Sequence, residues 1–124
     1  MLLEDLTQRI LKTSFQVSNE LGSGFLESVY ENALLVALRD EGMRASSQVP
    51  LNVPFRGVIV GHFVADLVVE DKVLVELKAV KALAPEHVAQ VLNYLKATKI
   101  EVGLLINFGN PKLEYRRFNN HFND

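Results

Sequence analysis

The chain of 124 residues contains no cysteine and no tryptophan. Without thiols there is neither a disulfide nor a thiolate metal site, so a bound cation must be held by oxygen or imidazole, which favours Mg²⁺ or Mn²⁺ over structural Zn²⁺. Long apolar runs are missing too. None approaches the roughly 18 residues that a membrane-spanning helix needs. The opening MLLEDLTQRI has acids where a secretory leader has bases, so the expectation is a soluble, cytoplasmic protein with no membrane segment. An excess of positive charge is also absent: 13 Lys and Arg against 15 Asp and Glu leave a net charge of −2. That balance counts against a general charge-driven nucleic-acid binder, and any nucleic-acid role must rest on a local patch. There is no internal repeat, low-complexity segment or linker. What remains is an ordinary globular balance, 48% hydrophobic and 23% charged, at a length that suits one core and one domain over residues 1–124.

Leu3, Leu6, Ile10, Val17 and Leu21 recur at helical spacing and predict an amphipathic helix ended by Gly22. A second helix is expected over 26–41, where YENALLVALRDE lacks Gly and Pro, with Gly42 closing it. The two should form an N-terminal helical hairpin. From Gln48 to Val69 the pattern turns strand-like, and Pro50 and Pro54 suit a strand at the sheet edge. Residues 72–80 read as a further strand and 85–98 as a third helix with Pro85 in its first turn. VGLLINF is a continuous apolar run of the kind buried on both faces of a sheet. Residues 113–118 add a last strand, and NNHFND reads as a frayed tail. This order implies an α/β fold in the α+β sense: a central mixed sheet with helices on its faces.

Charge in the apolar strands marks the chemistry. Strand alternation puts Val73, Val75, Leu77 and Ala79 on one face and Leu74, Glu76, Lys78 and Val80 on the other. A carboxylate and an ammonium among Val and Leu are costly unless they pair or bind something; a plain Glu76–Lys78 pair is the simplest alternative. Asp66 is the lone charge in FVADLVV. A three-residue loop at Glu70, Asp71 and Lys72 would set Asp66 directly across from Glu76, whereas a two-residue loop would put them on opposite faces. Both faces are apolar, so the pattern leaves both registers open, but only the first gives the carboxylates a shared purpose. Two like charges about 5 Å apart repel, and a divalent cation is the usual remedy.

On the second helix Glu27 falls in the middle of the stripe Tyr30, Leu34, Ala37 and Leu38, pointing toward the sheet. The helix dipole alone would also favour an acid in this first turn. Glu31, one turn on, lies nearer the edge of the stripe and ranks lower. On the third helix His87, Gln90 and Tyr94 form a strip beside Val88, Val91, Leu92 and Leu95, either as boundary residues or as the lining of a cleft over the sheet. Lys81, Lys96, Lys99, Arg116 and Arg117 are candidates for the local basic rim.

Asp66 followed by Glu76-x-Lys78 resembles the PD-(D/E)xK nuclease signature, and Gln90-x-x-x-Tyr94 resembles the extra motif of its RecB-like branch. Gly24-x-x-Glu27-x-x-Tyr30, together with VELKAVKALAPEHVAQVLNYLKATKIEVGLLINFG, resembles the GxxExxY protein family over nearly the whole chain. The resemblance implies a restriction-endonuclease-like core and Mg²⁺ (or Mn²⁺) held by Asp66 and Glu76, with Glu27 completing the acidic cluster. It further implies that Lys78 orients the attacking water or stabilises the phosphate, with Gln90 and Tyr94 supporting substrate or Lys78. Two departures stand out: Val17-Ser18 where relatives have Val-His, and Ala65 in place of the motif's proline. The function expected is Mg-dependent cleavage of DNA or RNA. The alternative is a catalytically weak module of the same fold that binds nucleic acid or a protein partner. The edge strand expected around Pro50 and Pro54 also makes a homodimer an expectation.

Overall fold

The computed structural model describes residues 3–120. Along the chain run α1 (Glu4–Leu21), α2 (Glu27–Asp40), β1 (Ala45–Phe55), β2 (Val58–Val69), β3 (Val73–Lys78), α3 (Pro85–Thr98), β4 (Val102–Asn107) and β5 (Glu114–Asn119). The expected order of elements is therefore the observed one. Among the described residues no helix is long and apolar enough to cross a membrane.

The five strands lie in the order β1-β2-β3-β4-β5. All neighbours are antiparallel except β3 and β4, because a parallel pair needs a crossover and α3 supplies it. The proline-bearing β1 lies at one edge, and its register shifts between Val53 and Pro54, where a ladder donor is lost. All six residues of β4 are buried, as its unbroken apolar run requires.

One core lies under α1 and α2, where Ile10, Tyr30, Leu34 and Leu38 meet Val73, Val75, Leu77, Leu104 and Ile106. On the opposite face Val91 and Leu95 of α3 meet Leu74 and Leu105. Each fully buried Leu or Val contributes roughly 1.5–3 kcal/mol, so the two cores clamp the sheet from both sides. α3 sits close because β4 offers Gly103 beneath it: a Cβ there would lie 2.9 Å from Val91 Cγ1 and 3.0 Å from Leu95 Cδ1.

The first two residues of the expected tail belong to the fold. Asn119 ends β5, and Asn120 donates from its backbone to Glu101 O at 2.7 Å and from its side chain to Ile100 O at 3.0 Å. Residues 121–124 fall outside the described residues.

Candidate active site

The loop that joins β2 to β3 decides the register. Glu70 and Asp71 both adopt left-handed φ, 54° and 56°, and Lys72 N–H donates to Val69 O at 3.0 Å. The first pair beyond the loop is Val69 with Val73, followed by Val68 with Leu74 and Leu67 with Val75. Of the two registers open to the sequence, this is the one that brings Asp66 opposite Glu76.

There the backbone ladder stops and the carboxylates replace it. Glu76 Oε2 accepts the N–H of Asp66 at 2.8 Å, while Asp66 Oδ2 accepts the N–H of Leu77 at 2.8 Å. The strand alternation also breaks at this point. Ala65 packs in the α3-side core and Leu67 in the α1–α2 core, although a regular strand would give them the same face. The β1–β2 pairing skips the same place, running from Ser47 with Leu67 to Val49 with Ala65, and the intervening Gln48 has φ 51°. Asp66 thus occupies a kink where β2 leaves β3.

Burial and mutual repulsion shape the charges. Glu76 is 3% exposed. Its carboxyl is pushed up to about 8, first by burial and then by the charge of Asp66, against the Asp66 N–H and the Lys78 ammonium. Asp66 is also raised by burial, opposed by the Leu77 N–H, Lys78 and a side-chain hydrogen bond with Glu31. Glu27 is raised by burial, with Lys78 pulling it down, Asp66 pushing it up and His87 pulling it down. Lys78 therefore faces three carboxylates. Among the described residues it forms an ion pair with none of them, the pairs being those of Arg44 with Glu70 and Asp71. A simple Glu76–Lys78 salt bridge is not what holds these residues.

Glu31 enters the site more deeply than its helical-wheel position suggests. It is 8% exposed, and its carboxylate accepts Gln48 Nε2 at 3.0 and 2.9 Å. Burial raises it, Gln48 lowers it and Asp66 raises it. Gln48 was invisible to a helical or strand pattern; its left-handed backbone is what turns the amide toward α2.

The Gly24-x-x-Glu27-x-x-Tyr30 spacing has a local structural meaning. Gly24 has φ 113°, a conformation that L side chains rarely adopt. Tyr30 is fully buried, stacks on Phe108 at 4.8 Å, donates its hydroxyl to Gly22 O and accepts Phe25 N–H at 3.2 Å. The tyrosine pins the corner between α1 and α2, and the corner sets Glu27 in the first turn of α2.

From α3, Tyr94 reaches the same region. Burial raises its phenol, as does the charge of Glu76, and its hydroxyl accepts Gln90 Nε2 at 2.9 Å. Its ring stacks on Phe63 of β2 with centroids 3.7 Å apart. Gln90 is connected to the cluster through Tyr94. His87 closes the start of α3, accepting Ala84 N–H on Nδ1 at 2.9 Å. Of the basic candidates, Lys96 and Lys99 come together beside α3. Lys81 lies on the loop after β3, while Arg116 packs over Phe118 and Arg117 bonds Asn119 on β5.

The end of β3 is held by Asn107. This fully buried side chain accepts Val80 N–H at 3.0 Å and Gly109 N–H at 2.9 Å, and donates to Val80 O at 2.9 Å. Lys78 is its register partner across the parallel ladder, so the bonds fix the chain just past the lysine.

The donor set suits a hard cation: all oxygen, mutually repelling and next to an ammonium. Among the described residues no three acidic or histidine side chains converge closely enough to hold an ion by themselves. Two carboxylates with water completing the shell is the usual arrangement for Mg²⁺, and Asp66 with Glu76 fits it.

A family model described as the PD-(D/E)XK nuclease superfamily matches residues 4–118. The crystal structure of SSO0001 aligns with 74% of this chain at a TM-score of 0.59 and 17% identity, a likeness of fold. The chain spans 48% of that structure. No curated protein matches.

Proposed function

Because the chain belongs to the PD-(D/E)XK nuclease superfamily, we propose that it is a divalent-metal-dependent nuclease acting on DNA or RNA, with Asp66, Glu76 and Lys78 at its centre. The observation that carries this reading is the reciprocal bonding of Asp66 and Glu76 where the β2–β3 ladder ends, with Lys78 two residues further along β3. Asp66 and Glu76 would hold Mg²⁺ or Mn²⁺, with Glu27 completing the acidic cluster. When bound, such an ion would shield the anionic phosphodiester and make water a better nucleophile.

The protein's own groups divide the remaining work. Each carboxylate is anchored by a backbone N–H of the neighbouring strand, so its orientation is fixed before substrate arrives, and this pre-organisation is what electrostatic catalysis requires. Lys78 brings a positive charge that is free of any short ion pair among the described residues; it would orient the attacking water or face the negative charge that develops on phosphate. Tyr94, held by Gln90, would position the substrate or Lys78.

Calorimetric titration with Mg²⁺ and Mn²⁺, run beside cleavage assays on single- and double-stranded substrates, tests the reading. Wild type should bind metal and cleave, Asp66→Ala should lose both, and Lys78→Ala should bind metal yet cleave at least 100-fold more slowly, the scale of one lost stabilising group (~10²–10³). Absence of metal binding and cleavage in wild type would sink it.

A further inference from the structure

We propose that the cleft between the outer part of the β1–β2 hairpin and α3 is a nucleotide subsite for an unpaired base, which makes single-stranded nucleic acid the substrate class. The inference rests on the nuclease reading above and deepens it. β1 and β2 stay paired out to Phe55 and Val58, while β3 accompanies β2 only over Leu67–Val69. Beyond Asp66 the hairpin therefore runs free of β3 and leans on α3, enclosing a cavity of about 600 Å³. That lies within the range of small-ligand sites, roughly 300–1,000 Å³.

Three properties of this cleft select its occupant. One wall is aromatic: Phe63 and Tyr94, both half-buried and stacked on each other, with Val53 beside them. Its rim carries Lys96 and Lys99, and among the described residues no Asp or Glu lines it, although the chain has 15 acids. An aromatic wall with cations beside it is how single-stranded nucleic acid is held without base-specific bonds. The third property is continuity. Phe63 lines the cleft and lies three residues before Asp66 on β2, about 10 Å along the strand, so a strand whose phosphate sits at Asp66, Glu76 and Lys78 continues into the cleft by its neighbouring nucleotide. A base in a duplex is stacked on both faces and cannot offer one to this wall.

Gly61 supplies a test that leaves the acidic cluster intact. Its backbone is not left-handed, and an added Cβ would make only ordinary contact, 3.8 Å, with Val53; Gly61→Leu should fill the cleft from β2. Fluorescence anisotropy in EDTA would measure binding of a labelled oligo(dT) of roughly twelve nucleotides, within the span of single-strand sites, and of a duplex of equal length. Wild type should favour the single strand, and Gly61→Leu should weaken that binding about tenfold, the order of one lost stacked base. Lys96→Ala, an exposed change that leaves the fold alone, should reduce the salt dependence by about 0.7 in the log–log slope, one phosphate contact. Lys12→Ala, on α1, should change neither. Equal or tighter binding of duplex by wild type, or wild-type binding by both Gly61→Leu and Lys96→Ala, would overturn the subsite. Binding is read without metal, so this outcome is separate from loss of cleavage in wild type, which tests the nuclease reading alone.

Discussion

Glu76→Gln isolates the electrostatic cost built into the centre of the fold. The amide keeps the shape of the side chain and an oxygen to accept the Asp66 N–H, but it cannot ionise. In the wild-type chain Glu76 has its carboxyl pushed up to about 8 from 4.5. A raised acid works against the native state as pH rises: between these two values the unfolded chain has released the proton and the native one still holds it. Stability is then full below 4.5, falls by about 1.4 kcal/mol per pH unit through the interval, and levels off above 8. From pH 5.5 to 8 this one group should remove about 3 kcal/mol from the metal-free protein, a large part of the roughly 5–15 kcal/mol typical of a domain. Asp66, Glu27 and Glu31 are raised as well and push both proteins in the same direction, so the difference between wild type and variant reports Glu76. Urea unfolding in EDTA at half-unit steps from pH 5.5 to 9 is the measurement. The two stability curves should diverge steadily, with the variant more stable at alkaline pH. Parallel curves would refute the reasoning and show that Glu76 ionises normally.

The same protonation predicts that metal binding releases a proton. At pH 7 calorimetry in buffers of different ionisation enthalpy should give close to one proton per Mg²⁺ bound, and the apparent affinity should rise with pH and level off above about 8; a pH-independent affinity between 6 and 8 would contradict it. Gly109→Ala should be severely destabilising, because its Cβ would fall 2.4 Å from Val80 N and nearer still to Val80 O. That segment follows Lys78, so a loss of at least about 1–3 kcal/mol in thermal unfolding should be accompanied by weakened cleavage. Tyr30→Phe keeps the stack on Phe108 but abolishes both hydroxyl bonds at the corner. It should lose about 1–2 kcal/mol, read as a lowered urea midpoint; an unchanged midpoint would show that the corner holds by packing alone.

Local patterns in the sequence carried the architecture a long way. The apolar spacing of Ile10, Val17, Tyr30, Leu34 and Leu38, the proline at the start of α3 and the unbroken run of β4 each describe elements whose periodicity is a property of neighbouring residues. Asp66, Glu76 and Lys78 were legible because a charge in an apolar strand is costly and therefore conspicuous. Their register was not settled by pattern, since both faces are apolar. It was decided by Glu70 and Asp71, whose left-handed conformations close a three-residue loop.

What only the tertiary structure decided are the contacts between segments far apart in the chain. Glu31 looked peripheral on its helix, yet it is buried because Gln48, 17 residues away, turns toward it. Asn107 reads as one polar residue ending an apolar strand, and its role appears only when the parallel pairing of β3 and β4 brings Val80 within reach. The kink at Asp66 is likewise the product of two strands parting while their carboxylates take over the vacated backbone bonds. By itself the sequence determined which residues are anomalous for their surroundings, because desolvation cost is set by residue type and local pattern. Which of them share a site was decided by the fold, because strand register and helix packing are set by distant partners.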